Sequence, residues 1–331
     1  AYQRQHDLVV DVMRWQTLLR LVAPILLWTL PAMARVVDVT IVSQSDLLNG
    51  SYERITGRVN FSIQVDNPHN QRIVDLRKAE NLKDGQVRFS ADFIAIRPKD
   101  VKRSNGTMLL EIVNRGHSAL LSLIDHHDDW LLRNGYTVVS LGWQWDAPGD
   151  GALRLQAPIA KDGEKRITGL VRGDLMPSHL MQEIPLAHWI TGRIGGTEYT
   201  VATPDDPRDS LTVRDSPLAE RTVIPRTQWN YVGNNQIHLT GGFQPGKIYE
   251  YVYVAANPVI AGLGFAAVRD FASYAKHSRN AVTPAIRVVG QGISQNGRFR
   301  WDGWDEGGNA DENGRIALDR ILAHVAGAGR G

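Results

Sequence analysis

The pattern of hydrophobic residues along this chain changes from alternating to continuous in its first half. Residues 52–65 and 86–96 are rich in β-branched and aromatic side chains and partly alternate in polarity, which predicts antiparallel strands. Residues 107–113 and 136–142 are nearly continuous apolar runs, and residues 118–133 between them have helical spacing. A buried strand, a helix and a second buried strand predict parallel pairing in an α/β fold.

The second half of the chain begins with a long segment that lacks strong periodicity. Residues 147–246 are rich in proline and polar loops, so we expect an insertion over the sheet that forms or supports a lid. Helical spacing returns at residues 258–276, and an apolar strand follows at residues 285–289. The predicted fold class is therefore α/β, with a mostly parallel sheet, antiparallel N-terminal strands and a lid-like insertion.

The start of the chain has the features of an export signal. A basic stretch at residues 13–20 precedes a short apolar run at residues 21–30, and small residues end at Ala34, in front of Arg35. This order predicts a signal peptide over residues 13–34, cleavage near Ala34 and a secreted or periplasmic protein.

Two other interpretations of this segment stay open. One is a buried or membrane-anchoring helix, although the run is shorter than the roughly 20 apolar residues that span a bilayer, so no stable membrane insertion is predicted. The other is an intracellular protein whose apparent leader is a fragment artefact. Residues 1–12 are expected to be a non-native leader or a fragment edge, because residue 1 is Ala rather than Met.

The charge and the residue types restrict the chemistry. The 331 residues contain 37 Lys and Arg against 35 Asp and Glu, and this net charge of +2 is far from the basic surface that nucleic-acid binding requires. No cysteine is present, which excludes disulfides, thiolate metal sites and a cysteine nucleophile. Serine is then the natural residue for covalent catalysis, and neither a cofactor nor a metal is predicted.

Ser294 lies in a glycine-rich segment that follows a predicted strand. Gly290 and Gly292 precede this serine and Gly297 follows it. A nucleophile on a tight strand-to-helix turn needs small residues two positions before it and two or three after it. Asn296 stands where the second glycine is usual, and Asn is among the residues that tolerate positive φ. The segment predicts a nucleophilic serine; an ordinary glycine-rich loop is the alternative.

A serine nucleophile also needs two N–H groups for the oxyanion of its intermediate. One comes from the residue after the serine, here Gln295, and the other from the loop that follows an earlier strand. Residues 114–117 follow an apolar strand and contain a glycine, so Arg115 or Gly116 is predicted to provide the second donor. A simple strand-ending turn is the alternative for this loop.

Four spaced blocks stand out in the sequence: residues 107–117, 130–146, 257–274 and 290–299, the last of which reads GQGISQNGRF. Together they resemble a large, mostly bacterial and little characterised group of α/β-hydrolase-domain proteins that carry a G-x-S-Q-[SN]-G-R motif. The resemblance covers most of residues 50–331. It implies an α/β-hydrolase domain over residues 35–331 with Ser294 as nucleophile, and it implies no particular substrate.

The resemblance also implies where the partners of the serine lie. Members of the group are typically longer than this chain, and the triad order in their fold is serine, acid and histidine on loops after successive strands. We therefore expect the acid and the histidine largely beyond residue 331, and this chain alone to be inactive. His324, the single histidine after Ser294, follows too few elements to be the usual base.

Two other residue groups have weaker claims to function. The run DHHDD at residues 125–129 resembles a metal cluster, but adjacent side chains point in different directions, so a solvated connection is the better interpretation. Trp143, Trp145, Trp301 and Trp304 are expected near the carboxyl ends of the strands. They either line an acyl or sugar pocket or pack in the core and against a lid.

These patterns together predict a secreted serine hydrolase. We expect it to cleave a small-molecule ester, with an amide as the less favoured alternative, through an acyl-enzyme on Ser294. The rival hypothesis, from a different functional class, is a non-catalytic binding protein that kept the fold and recognises carbohydrate through its tryptophans.

Export is tested on the secreted protein itself. If the predicted signal peptide is removed, mass spectrometry of secreted or periplasmic material finds Arg35 as the first residue. An exported protein that keeps residues 13–34 would contradict this prediction.

Overall fold

The computed structural model describes residues 36–190, 193–197, 199–298 and 308–326, all of which belong to one compact unit, Met33–Gly331. The expected leader at residues 1–12 and the signal peptide at residues 13–34 lie outside the described residues. Within the described ranges, no helix is both long and apolar enough to cross a bilayer.

The strands in chain order are β1 (Val36–Leu47), β2 (Tyr52–Gln64), β3 (Gln86–Pro98), β4 (Thr107–Ile112), β5 (Thr137–Leu141), β6 (Leu155–Gln156), β7 (Lys161–Asp162), β8 (Lys165–Arg166), β9 (Thr168–Leu175), β10 (Met181–Pro185), β11 (Ala187–Ile190), β12 (Arg193–Thr197), β13 (Ser210–Arg214), β14 (Thr222–Ile224), β15 (Trp229–Val232), β16 (Gln236–Phe243), β17 (Ile248–Ala256), β18 (Arg287–Ile293) and β19 (Arg320–His324). The helices are α1 (Ala119–Asp125), α2 (Trp130–Arg133) and α3 (Leu263–His277).

An eight-stranded mixed sheet organises the fold. Its strands follow the order β1-β2-β3-β5-β4-β18-β19, and β6 also pairs with β3. The pairs β1–β2, β2–β3 and β3–β5 are antiparallel. The pairs β5–β4, β4–β18 and β18–β19 are parallel.

The predicted α/β-hydrolase fold with a mostly parallel sheet is wrong. Strand residues far outnumber helical ones, several separate sheets are antiparallel, and in the described part of the chain only three strand pairs are parallel. A parallel pair needs a crossover of a dozen or more residues, usually a helix. Tight turns and short loops join many of the strands here, and such connections favour antiparallel neighbours.

The helices are also shorter than their patterns predict. Residues 118–133 form α1 and α2 rather than one helix, and His127 between them has a φ of +68° that ends helical geometry. The hydroxyl of Ser118 accepts a hydrogen bond from the Leu121 N–H at 3.0 Å and so caps α1. The third helix, α3, begins at Leu263 rather than near Pro258.

Residues 147–246 form antiparallel strands instead of irregular loops. Together with β17, this segment builds the sheets β14-β13-β17-β9 and β10-β16-β15 and the hairpin β11-β12. These strands bury an apolar core of their own, in which Phe243, Tyr251 and Tyr253 are almost fully inaccessible to solvent. Most of the strands are only two to five residues long, and such short strands leave little periodicity in a sequence. That this insertion acts as a lid stays a prediction.

Two faces of the main sheet are covered by apolar side chains. On one face α3 packs against the sheet, with Phe271 placed 6.2 Å from Phe93 between ring centres. A second, smaller cluster joins Leu120 and Leu132 of α1 and α2 to Ile96 and other sheet residues. The central strands are thereby held in a water-excluded layer.

Strand directions bring several loops to one edge of the main sheet. Because β2, β5, β4, β18 and β19 run in the same direction, their carboxyl ends meet at this edge. The residues that follow these strands include the 114–117 loop, Trp143 and Ser294. This edge is the usual place for a ligand site in a sheet with parallel strands.

A buried ion pair anchors α3 to the loop after β2. Arg269 donates to the Asp270 carboxylate at 2.7 and 3.0 Å, and both side chains are at most 4% exposed. The same guanidinium donates to the His69 carbonyl and to Asn70 Oδ1, both at 2.9 Å. The charges are therefore paired and hydrogen-bonded, as burial of charge requires.

Removing this guanidinium is expected to destabilise the fold strongly. Arg269→Leu leaves Asp270 buried without its cation, which lowers the free energy of unfolding by about 3–5 kcal/mol. The matched control is Arg133→Leu, which breaks an ion pair to Asp129 whose arginine is 73% exposed and costs less than about 1 kcal/mol. Denaturant unfolding measures the free energy of unfolding of both variants. Equal decreases would contradict a strongly stabilising role for the buried pair.

Candidate active site

Ser294 occupies a strained turn between a strand and a helix. It follows the last residue of β18, its φ is +59°, and the backbone of residues 295–298 is helical. Positive φ costs a non-glycine residue energy and persists where the surroundings hold it. Here the Ser294 N–H donates to the His324 carbonyl of β19 at 2.9 Å, and its carbonyl accepts from the Arg298 N–H at 3.1 Å.

Close packing explains two of the glycines around this serine. A Cβ on Gly292 would lie 2.9 Å from the Gly297 nitrogen and would overlap the Asn296 carbonyl. A Cβ on Gly297 would lie 3.0 Å from Ala326 Cβ and 3.1 Å from the His324 carbonyl oxygen. The helix can start directly over the strand because both positions lack a side chain.

The other motif positions have different roles. Gly290 is a buried residue inside β18, where it pairs with Leu110 and Ile321 on the neighbouring strands. Asn296 does not use the positive φ that the sequence suggested, since it is helical; the positive φ belongs to Ser294. The Asn296 side chain is buried and donates to the Ile112 carbonyl at the end of β4, at 2.6 Å.

The 114–117 loop lies beside this turn. Asn114 Nδ2 donates to the carbonyl of Ile293, the residue before the serine, at 3.3 Å. Backbone hydrogen bonds of 3.0 Å between Asn114 and His117 close the loop in both directions. Arg115 and Gly116 between them have φ values of +50° and +81°. The structure therefore brings the two loops of the sequence hypothesis together.

The hydrogen bonds of the loop distinguish the two candidate oxyanion donors. The Arg115 N–H already donates to Gln144 Oε1 at 3.1 Å. Within the described residues, the N–H groups of Gly116 and Gln295 have no hydrogen-bond acceptor. Gly116 must be glycine, because a Cβ there would lie 2.5 Å from Ala152 Cβ. The geometry favours Gly116 over Arg115 as partner of Gln295.

The hairpin β11-β12 of the insertion is attached next to this loop. The Arg115 guanidinium donates to the Gly195 carbonyl in β12. Asp146 is close to Gly196, where an added Cβ would overlap its carboxylate. Burial raises the pKa of Asp146, and the charges of Arg115 and His188 oppose that shift. The insertion is thus tied electrostatically to the loop that borders Ser294.

Sequence reasoning missed a buried carboxylate on β4. Glu111 accepts hydrogen bonds from the hydroxyls of Ser118 and Ser140 and from the N–H groups of Ala119 and Leu120. Burial raises the pKa of this carboxyl, and the hydrogen bonds partly offset the shift. The side chain fixes the start of α1 after the 114–117 loop. An acid inside an otherwise apolar strand was the signal in the sequence.

No catalytic base for Ser294 is found within the described part of the chain. There, no histidine ring is hydrogen-bonded to the Ser294 hydroxyl, and the His324 backbone carbonyl accepts from the Ser294 N–H instead. Asp311 is engaged with Ser273 and Arg315. The acids at residues 302–306 lie outside the described residues.

The DHHDD run has no metal-site geometry. Asp125 is hydrogen-bonded to Arg54 at 3.0 Å, Asp129 pairs with Arg133, and His126 Nδ1 contacts the Ser122 carbonyl. Among the described residues, no group of three or more His, Asp or Glu side chains converges on a common point.

The described tryptophans have structural contacts. Trp143 Nε1 donates to the Val113 carbonyl at 2.8 Å, and Trp145 stacks on Tyr199 with 5.0 Å between ring centres. Trp301 and Trp304 lie outside the described residues. Trp143 therefore helps to hold the end of β4 next to the 114–117 loop.

Comparison with known families and with curated proteins finds no match. Among solved structures, the chain has partial similarity to the rice cell wall degrading esterase LipA from Xanthomonas oryzae, with 13% sequence identity and a TM-score of 0.19. The match covers 36% of this chain and 31% of the esterase. A ligand-bound form of that esterase has 12% identity, the same TM-score and the same coverage. A likeness this partial defines neither the fold nor the activity of this chain.

The close packing at Gly292 predicts that a larger residue there destabilises the fold. Gly292→Ala forces the added methyl against backbone atoms of the following helix, and such overpacking lowers the free energy of unfolding by about 1–3 kcal/mol. Gly169→Ala in β9 is the control, because a Cβ there meets no atom within 4 Å. Denaturant unfolding measures both; a Gly292 variant as stable as the control would contradict the described turn.

Proposed function

We propose that this protein is a serine hydrolase that cleaves an ester through an acyl-enzyme on Ser294. The observation that carries the proposal is the positive φ of Ser294 between a central parallel strand and a helix start. Strain of this kind concentrates at functional sites, and this turn presents a serine hydroxyl at the edge where the carboxyl ends of the strands meet.

The proposed reaction has two steps. Ser294 Oγ attacks the ester carbonyl carbon while a base accepts the hydroxyl proton. The tetrahedral intermediate then collapses: the C–O bond to the leaving group breaks and the base returns the proton to the leaving oxygen, which departs as an alcohol. Water then attacks the acyl-serine and releases the carboxylic acid. The resemblance assigns the base and its acid to loops after strands that follow the nucleophile turn.

Two backbone donors support charge stabilisation in this reaction. The Gln295 N–H is the first N–H of the helical residues that follow the nucleophile. The Gly116 N–H belongs to the loop that Asn114 ties to Ile293. We assign these two groups to the oxyanion, which in other hydrolases makes each such donor worth about 3–4 kcal/mol in the transition state.

We propose that the insertion, residues 147–246, determines which esters reach Ser294. Its hairpin β11-β12 contacts the 114–117 loop through Arg115 and lies against Asp146 after β5, so a change in the hairpin reaches the loop beside Ser294 directly. We also propose that the protein is exported, with cleavage near Ala34.

An activity-based probe tests the nucleophile. A fluorophosphonate reacts with the activated serine of a hydrolase, so the full-length gene product should be labelled and Ser294→Ala should remove the label. Ser216→Ala is the control, since Ser216 is an exposed serine between β13 and β14 and its loss should leave labelling intact.

The outcome also decides between the two functional classes. Folded full-length protein that stays unlabelled, with circular dichroism showing native strands, would overturn the hydrolase proposal in favour of the non-catalytic binding protein. Labelling that survives Ser294→Ala would assign the nucleophile to another residue.

A further inference from the structure

A buried acid joins the two ends of the loop that carries the Gly116 N–H. Glu111 is the last residue but one of β4 and is 2% exposed. Its carboxylate accepts hydrogen bonds from the hydroxyl of Ser118, the N-cap of α1, and from the Ala119 N–H at 2.8 Å. Residues 112–117 are thus a loop whose base is closed by one side chain.

Both oxygens of this carboxylate are engaged. Oε1 accepts from the backbone N–H groups of Ala119 at 2.8 Å and Leu120 at 3.3 Å. Oε2 accepts from the hydroxyls of Ser118 and Ser140, the second of these at 3.0 Å. All four groups can donate, which suits an ionised carboxylate because it can only accept. Glu111 therefore links β4 to the start of α1 and to the neighbouring strand β5.

The other hydrogen bonds that hold this part of the loop join neutral groups. The Gly116 carbonyl accepts from the Leu153 N–H at 2.9 Å, and the Arg115 N–H donates to Gln144 Oε1 at 3.1 Å. A hydrogen bond to an ionised acceptor is about twice as strong as one between neutral groups. The bonds to Glu111 are therefore the stronger tethers of the loop.

The backbone of the loop needs such tethers. Arg115 and Gly116 have φ values of +50° and +81°. A non-glycine residue keeps a positive φ only where its surroundings hold it. If the acceptors of Glu111 are removed, the ends of the loop can separate and Arg115 can relax. Relaxation of Arg115 turns the peptide that carries the Gly116 N–H.

We propose that Glu111 is a positioning residue of the hydrolase, which fixes both ends of the 114–117 loop so that the Gly116 N–H is directed at the oxyanion. The inference rests on the proposed function, because an oxyanion forms only if Ser294 attacks an ester. Glu111 acts through the loop and not on the substrate, since its side chain is buried beneath α1 and between the strands.

Ester turnover by the full-length protein tests the role of this acid. Glu111→Leu removes every acceptor and should lower kcat about tenfold or more, because small misplacements of a catalytic group cost that much. KM should change by less than about twofold, because the oxyanion donor acts in the transition state. Glu111→Gln keeps an oxygen for the two backbone N–H groups and should restore kcat to within about threefold.

Glu53→Leu is the matched control. Glu53 is also a buried acid on a strand, 4% exposed and paired with Arg97 at 2.7 Å. It is the second residue of β2, so it lies at the opposite edge of the main sheet from Ser294. Its replacement should lower the stability of the fold and leave both kcat and KM unchanged.

A milder pair of variants serves if circular dichroism shows that Glu111→Leu does not fold. Ser118→Ala removes one bond to Glu111 and the cap of α1, and it should lower kcat about threefold. Asp100→Ala is its control, because it removes a similar cap, the bond from the Lys102 N–H at 3.0 Å, after β3 at the opposite edge. Equal kcat values for these two variants would overturn the proposal.

Amide exchange measures the loop without any ester. Mass spectrometry of the peptide that spans residues 113–121 should find faster exchange in Glu111→Leu than in Glu53→Leu. The inference alone is overturned if esters are cleaved but exchange is equal in these variants. It is also overturned if Glu111→Leu keeps its kcat, if Glu111→Gln loses as much as Glu111→Leu, or if Glu53→Leu loses as much. Absence of ester turnover by the unmodified protein overturns the proposed function and this inference with it.

Discussion

The turn at Ser294 depends on the absence of a side chain at Gly292. The strand can pass directly under the Asn296 carbonyl only when no Cβ intervenes, and Ser294 between them has a positive φ. The hydrogen bond from the Ser294 N–H to β19 and that from Asn296 to β4 fix the turn from both sides. The strained conformation of Ser294 is therefore held by the two parallel neighbours of β18, so it depends on the order of strands in the sheet.

The same sheet order assembles the surroundings of the serine. Parallel pairing of β5, β4 and β18 brings Trp143, the 114–117 loop and Ser294 to one edge. Gln144 Oε1 accepts a hydrogen bond from the Arg115 N–H, and the Arg115 guanidinium donates to the Gly195 carbonyl of the insertion. The Arg269 guanidinium, paired with Asp270 on α3, holds the loop after β2 through the His69 carbonyl and Asn70 Oδ1. Each element of this edge is positioned by a partner that is distant in sequence.

Strands close to β2, β3, β4, β5 and β18 could be predicted from the sequence, because their apolar runs are long enough to show a pattern. The sheet as a whole could not, since the direction of strand pairing depends on connections that periodicity does not report. The strands of the insertion could not either, because they are too short to show a clear period. Ser294 could be identified from the sequence because the glycines that a tight turn requires lie within a few residues of it. The role of Gln144 could not, because its partner, the Arg115 N–H, is defined only by the folded chain.

The central claim is that the strained serine forms a covalent intermediate. The most direct measurement is rapid quenching of the full-length protein with an activated acetyl ester, followed by peptide mass spectrometry. The account predicts a transient acetyl group on the peptide that contains Ser294, at the serine itself. Ester turnover with no acyl group on this peptide, or with the acetyl group on a different residue, would contradict it.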